Sequence, residues 1–124
     1  MSRVRNKNTQ AEMQVRSLLH RAGYRFRLHV SDLPGSPDLV LRRYNTTVFV
    51  HGCFWHGHAC PRGARPKSNA EFWNEKIDAN QRRDREAHEA LQKEGWSVLT
   101  VWECELRDPA ALLVRLKHAL DSRL

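Results

Sequence analysis

Long apolar runs are missing from this sequence. The longest, Val98-Leu99-Thr100-Val101-Trp102, falls far short of the roughly 20 residues that a bilayer-crossing helix needs. The opening stretch, MSRVRNKNTQ, is polar and basic where a secretory leader has an apolar centre. Neither membrane insertion nor export is expected, and a cytoplasmic location follows. Cysteine is scarce, with Cys53 and Cys60 close together and Cys104 far downstream. That spacing excludes a disulfide scaffold and, beside histidines, points to metal. Acidic residues are in deficit, 14 against 21 Lys and Arg, so the net charge is +7. A polyanionic partner is expected from that excess, nucleic acid first. Internal repeats, low-complexity tracts and long linkers are also absent. A chain of 124 residues has room for one core. A single domain over 1–124 is expected, with residues 1–8 as a basic arm. The hydrophobic fraction, 40%, excludes a disordered chain.

Thr9-Gln10-Ala11-Glu12 has the form of a capping box, so a helix is expected from Thr9, with Val15, Leu18, Leu19 and Ala22 as its apolar stripe and Gly23 as its stop. Tyr24 to Val30 alternates, with Tyr24, Phe26, Leu28 and Val30 on one face and Arg25, Arg27 and His29 on the other. This predicts a strand with one buried face. After a Pro- and Gly-rich turn, two short strands are expected at 38–41 and 46–50, joined by a turn at Arg43-Tyr44-Asn45. Residues 51–66 read as irregular. A long helix follows from about Asn69 to Lys93, with Trp73, Ile77, Ala87 and Leu91 apolar around a charged middle. Trp96 to Trp102 reads as a strand at the centre of a sheet. Asp108-Pro109 starts a last helix carrying Leu112, Leu113, Leu116 and Leu120. The order αβββαβα implies an α/β fold, a mixed sheet covered by helices on both sides.

The chemistry concentrates in His51-Gly52-Cys53-Phe54-Trp55-His56-Gly57-His58-Ala59-Cys60. Cys-x4-His-x-Cys, with Cys104 as a fourth ligand after the last strand, suits the thiolate and imidazole tetrahedron of structural zinc. Spacing alone does not choose between His56 and His58: in an extended segment they share a face with Cys60, whereas Gly57 permits a turn that separates them. Phe54 and Trp55 stand between the candidate ligands. Such rings either pack under the loop or act as wedges and stacking platforms for bases, and Trp73 can join them. Asp38 begins one strand while Val50-His51 ends its hairpin partner, an arrangement that can hold a divalent metal against a phosphate. Arg82, Arg83 and Arg85 suit phosphate contact, or a solvated face balanced by Asp84 and Glu86.

Taken together, Pro37-Asp38, HGCFWHGHAC, EFWNEKIDAN with Arg83-Asp84, and GWSVLTVWECEL resemble the bacterial very short patch repair (Vsr) DNA mismatch endonucleases. The resemblance runs from about Ser2 to Leu106, and the pairing of HGCFWH with VWECEL is highly specific. It implies a restriction-endonuclease-like core of the PD-(D/E)xK type with a zinc-tied loop. The implied activity is a nick in one strand of double-stranded DNA beside the thymine of a G·T mismatch. The resemblance further implies structural zinc on Cys53, His58, Cys60 and Cys104, leaving His56 for catalysis. Asp38 would hold catalytic Mg²⁺, His51 would lie beside the attacked phosphate, and Glu12 would support the metal site from the first helix. Some members carry threonine before His51. Here Val50 offers its backbone carbonyl to the magnesium. Phe54, Trp55 and Trp73 would wedge into the duplex, with the arginines on phosphates.

A strand-selective nick needs one active site, so a monomer is expected, acting on the nucleoid alongside other mismatch-repair proteins. Two other functions suit the same residues: a zinc-stabilised DNA-binding module that does not cleave, and a restriction-like nuclease acting on paired DNA.

Overall fold

The structure, a computed structural model, describes residues 9–123; the basic arm expected at 1–8 lies outside them. Helix α1 spans Gln10–Arg21, strand β1 Arg27–Leu28, β2 Leu39–Leu41 and β3 Thr46–His51. Helix α2 then covers Ala70–Lys93, β4 Ser97–Trp102 and α3 Pro109–Asp121. Local chemistry sets the helix ends. Thr9 Oγ1 accepts the Glu12 N–H at 3.1 Å, and α1 stops before Gly23, which takes φ +93°. Asp108 accepts the Ala111 N–H, with Pro109 as first residue of α3.

The sheet runs β1-β2-β3-β4. The first two pairings are antiparallel, and β3 pairs with β4 in parallel from Thr46↔Ser97 to His51↔Trp102. One face meets α1 and α3 in a core of Val15, Leu19, Leu39, Leu41, Val48, Val101, Leu112, Leu116 and Leu120. The other face carries Phe49, His51, Thr100 and Trp102 toward α2, across a cleft of about 1550 Å³. The mixed sheet flanked by helices is as expected. Among the described residues no helix is long and apolar enough to cross a membrane.

Two expectations need correction. The strand expected over 24–30 is ordered as β only at Arg27–Leu28, and Leu28 is exposed. The alternation fails because β2, its strand partner among the described residues, offers three residues, and because His29 turns to φ +49°. His29 thereby leaves the solvent side and becomes half-buried. Second, β4 lies at the sheet's edge and not at its centre. Its apolar run reflects cover on both faces. Leu99 and Val101 pack on the α1–α3 core, while Val98, Thr100 and Trp102 line the cleft. Arg115 Nη2, from α3, takes the Thr100 carbonyl at 3.0 Å. The turn at 43–45 is a 3-10 turn over Arg42–Tyr44, closed by Asn45 in the left-handed region.

The loop that leads into Asp38 is pressed against α2. Gly35 has φ +75°, and a Cβ there would sit 2.5 Å from the Ala87 Cβ and 3.3 Å from the Phe49 ring. Both strain and overlap oppose a side chain. Gly35→Ala is expected to lose on the order of 1–3 kcal/mol of stability, read as a lower urea midpoint at unchanged m-value. An unchanged midpoint would show that this loop is free to lift away from α2.

Candidate active site

Asp38 stands just before β2, where its N–H bonds to the Val48 carbonyl at 3.0 Å. Its carboxylate accepts the Val50 N–H at 2.7 Å. A strand residue directs its N–H and C=O to the same edge, so the Val50 carbonyl lies on the Asp38 side of β3. Glu12, 1% exposed, reaches the same corner from α1. Its Oε2 accepts from Arg16 at 2.6 Å and meets His29 Nε2 at 2.5 Å. Ligand atoms of Glu12, His29 and Asp38 lie within 4.8 Å of one another. Burial is the main force raising the Asp38 carboxyl to about 6, with the Glu12 charge adding to it. The Val50 N–H and the charges of His29 and His56 pull the other way.

Across the cleft the His51 and His56 rings stack, with centroids 3.8 Å apart and planes 2° from parallel. His56 Nδ1 bonds to Asp84 Oδ2 at 2.6 Å, and His51 Nε2 lies 3.8 Å from Asp84 Oδ1. Burial, helped by His56 and His88 and opposed by Asp84, lowers His51 to about 4, so its ring is neutral near pH 7. Burial works against the Asp84 charge, but the His56 hydrogen bond and the nearby His51, His56 and Arg83 charges hold its carboxyl below the usual range. His51 Nδ1 is buried with no hydrogen-bond partner among the described residues.

Beyond the strand ends, Cys53, His58, Cys60 and Cys104 bring their ligand atoms within 4.8 Å of one another, with 3.6 Å between Cys104 Sγ and His58 Nδ1. Tetrahedral zinc with thiolates at about 2.3 Å and imidazole at about 2.0 Å requires ligand separations of this order. Burial holds the Cys53 thiol up at about 12. Burial also pushes Cys60 up, but hydrogen bonds from His58, Cys53 and the Gly63 and Arg62 backbone outweigh it and bring that thiol to about 6. Such a cluster favours a cation that stabilises thiolates. Trp102 stacks on His58 at 4.1 Å and presents its edge to His51 at 5.2 Å, filling the space between the sulfur cluster and the histidine pair.

The intervening loop presents Phe54 and Trp55. They and Trp73 of α2 meet edge-on, with centroids 5.2 to 5.8 Å apart, and Phe72 extends the cluster at 5.0 Å from Trp73. Arg83 and Arg85 line the cleft, whereas Arg82 does not. All three are exposed.

The structure thus gathers Asp38, Val50, His51 and His56 around one cleft with Glu12 buried beside Asp38, sets Cys53, His58, Cys60 and Cys104 in a separate cluster, and joins Phe54, Trp55 and Trp73. His56 and His58 diverge because Gly57 turns the chain at φ +61°. Three residues escaped the sequence reading. The sequence pattern sets His29 on the solvent face of a strand, Asp84 among balancing charges, and Trp102 at the end of a strand. For Asp84 the available signal was its place in the charged middle of a helix that otherwise packs.

Comparison with known proteins bears on this arrangement. The family model described as "DNA mismatch endonuclease Vsr" matches residues 1–62. The chain is 55% identical over 121 residues to the type II nicking enzyme V.XorIIP of Xanthomonas oryzae pv. oryzae, covering 98% of this chain and 89% of that one. It is 45% identical over 124 residues to the DNA mismatch endonuclease Vsr of Escherichia coli K12, covering 100% of this chain and 78% of that one. Among solved structures, the catalytic domain of the homing endonuclease I-Bth0305I superposes with a TM-score of 0.66 at 17% identity, covering 94% of this chain and 99% of that one. The last likeness, at 17% identity, is one of fold.

The two opposed shifts in the cleft fix a pH signature. His51 is harder to protonate folded than unfolded, so its burial destabilises the fold progressively as pH falls from about 6.5 to about 4. Asp38 takes its proton more readily folded than unfolded, so it stabilises the fold as pH falls from about 6 to about 4. Each contribution is on the order of 3 kcal/mol at full extent, and they offset. In Mg²⁺-free buffer Asp38→Asn is expected to steepen the loss of stability between pH 6 and 4, and His51→Gln to reverse it. Parallel stability–pH curves for wild type and both variants would contradict the burial of these groups.

Proposed function

The chain belongs to the Vsr family of DNA mismatch endonucleases, and from that premise we propose that it makes a Mg²⁺-dependent, strand-specific nick beside the thymine of a G·T mismatch. The observation that carries this reading is the convergence of a carboxylate corner, a His–Asp pair and the aromatic rings of Phe54 and Trp55 on one cleft.

The corner fits a hard cation: the Asp38 carboxylate and Val50 carbonyl share one sheet edge, and the raised Asp38 carboxyl lacks the positive charge that a cation supplies. Asp38 and Val50 would hold Mg²⁺, which would supply polarisation of the phosphate and a more acidic water, and Glu12, fixed by Arg16 and His29, would orient the site from α1. Asp84 accepts Nδ1–H of His56 and so leaves Nε2 free to take a proton as general base. A buried ring nitrogen without a partner is cheapest as a bare lone pair. We therefore assign the His51 proton to Nε2, on the side of Asp84 and the phosphate. Kept neutral by burial, His51 donates without repelling His56.

Cys53, His58, Cys60 and Cys104 would hold zinc, which would tie the loop that presents Phe54 and Trp55. With Trp73, these rings wedge into the duplex. A mispaired step costs less to unstack, which makes the wedge selective. Arg83 and Arg85 at the cleft, and Arg82 beside them, contact phosphates. One such site nicks one strand, so the protein acts as a monomer and passes the nicked duplex to other mismatch-repair proteins.

Nicking assays with Mg²⁺ on G·T and G·C duplexes of one sequence test the reading, and equal cleavage of both would replace it with a nuclease for paired DNA. Asp38→Ala is expected to abolish nicking while retaining mismatch binding. Trp55→Ala should weaken binding to G·T more than to G·C, with the salt dependence unchanged. An equal loss on both duplexes would make Trp55 a packing residue.

Metal analysis after dialysis against Mg²⁺-free buffer is expected to find one zinc per chain. Cys104→Ser should lose it along with several degrees of Tm. Protein purified without zinc and melting at the same temperature would remove the structural metal from the account.

A further inference from the structure

The loop that bears both the wedge and the base is fastened to α2 through its backbone. Asn80 Nδ2 donates to the Trp55 carbonyl at 2.8 Å. Gln81 Nε2 donates to the His56 carbonyl at 3.1 Å and the Gly57 carbonyl at 3.4 Å. Gly57 is fitted against that amide: a Cβ there would lie 2.6 Å from Gln81 Nε2 and 2.8 Å from Ile77 Cγ2. Behind Gln81 stands Arg65, whose Nη2 donates to Gln81 Oε1 at 3.5 Å while pairing with Asp78 at 2.9 Å, and whose Nη1 donates to Asn74 at 3.0 Å. Donating to its acceptor end leaves the Gln81 amide only one way round.

We propose that Gln81, backed by Arg65, is a positioning residue for His56. The inference rests on the reading of His56 as general base. Residues three apart share a helix face, so Gln81 and Asp84 address one residue from one side: Gln81 fixes its backbone carbonyl, and Asp84 fixes its ring at 2.6 Å. A ring hydrogen bond alone leaves the backbone free to carry the imidazole toward or away from the phosphate. A backbone tether alone leaves the ring free to rotate. Two-point support from one rigid element holds Nε2 in place, as a proton acceptor requires. The two hydrogen bonds from Gln81 Nε2 also satisfy carbonyls that the turn at Gly57 leaves without a ladder partner.

A double-mutant cycle between Gln81→Met and His56→Ala tests this, using kcat for nicking of a G·T duplex with Mg²⁺, zinc content and Tm. Methionine keeps the length of the side chain and removes the donor. Gln81→Met is expected to lower kcat about 10-fold, with KM within about 2-fold, zinc retained and Tm shifted by only a few degrees. In the His56→Ala background the same change is expected to alter kcat less than about 2-fold, because there is no base left to position. An unchanged kcat in Gln81→Met overturns the proposal. So does a 10-fold fall in both backgrounds, or a fall accompanied by loss of zinc, since either makes Gln81 a structural residue only. Wild-type kcat in His56→Ala itself would overturn the base reading, and this inference with it. Arg65→Ala, outside the cleft, provides the second route if Gln81→Met does not fold: it should show the same pattern at about 3-fold, and wild-type kcat there would overturn the proposal.

Discussion

The parallel pairing of β3 with β4 is the constraint on which the rest of the molecule depends. Two adjacent parallel strands cannot be joined by a hairpin; the chain must return to the starting end through a crossover. Here the crossover is α2, whose 24 residues extend about 36 Å, far more than the roughly 20 Å of a six-residue strand. The helix therefore overshoots the sheet. Its later part, with Ala87 and Leu91, packs over the strands, while its earlier part projects past the strand ends and delivers Trp73, Asn80, Gln81 and Asp84 to the loop that leaves β3. The same ladder aligns His51 with Trp102. Cys53 and Cys104 each lie two residues beyond that pair, so the register brings together cysteines some fifty positions apart, with little further loop entropy to overcome.

What could be read from the sequence follows from how local each signal is. The Thr9–Glu12 start, the Gly23 stop, the Asp108-Pro109 start and the long α2 stripe are contacts between near neighbours, and all appear in the structure. The Cys and His spacing, joined to a resemblance that separates His56 from His58, anticipated the cluster that the register produces. The failures are non-local. Whether Trp96–Trp102 is central or marginal depends on which strands follow it in space, and helices on both faces give an edge strand the same apolar profile as a central one. The Tyr24–Val30 alternation is real at Tyr24 and Phe26, but a strand extends only as far as its partner, and β2 is short. Asp84, Gln81 and His29 carry ordinary surface chemistry. Their importance comes from what the crossover and a left-handed turn set opposite them, and no spacing rule encodes that.

Glu12 shows how one residue answers to both levels. Its N–H completes the Thr9 cap, a backbone contact that asks for no particular side chain at position 12. Its side chain nevertheless lies buried with Arg16 and His29 beside Asp38. A carboxylate so buried is costly unless paired, and an arginine together with a histidine ring on one carboxylate is more than a helix start requires. The cap places the residue; the pairing turns it inward.

The electrostatics of the cleft extend this argument. Burial is the largest influence on both Asp38 and His51, and it acts on each in the direction that removes charge. The same low polarity that makes the isolated groups reluctant to ionise strengthens any interaction with a charge that enters. A cation beside Asp38 would be opposed by little competing water, and a phosphate would meet a neutral His51 with its proton available. Asp84 is the exception, held ionised by His56 against its own burial, so the cleft keeps one carboxylate firmly charged and another, Asp38, that takes up a proton more readily than usual. Environments that drive two carboxyl groups in opposite directions separate their roles without any change of residue type. Asp84 is fixed to orienting a ring, while Asp38 remains responsive to whatever positive charge the substrate and its metal bring.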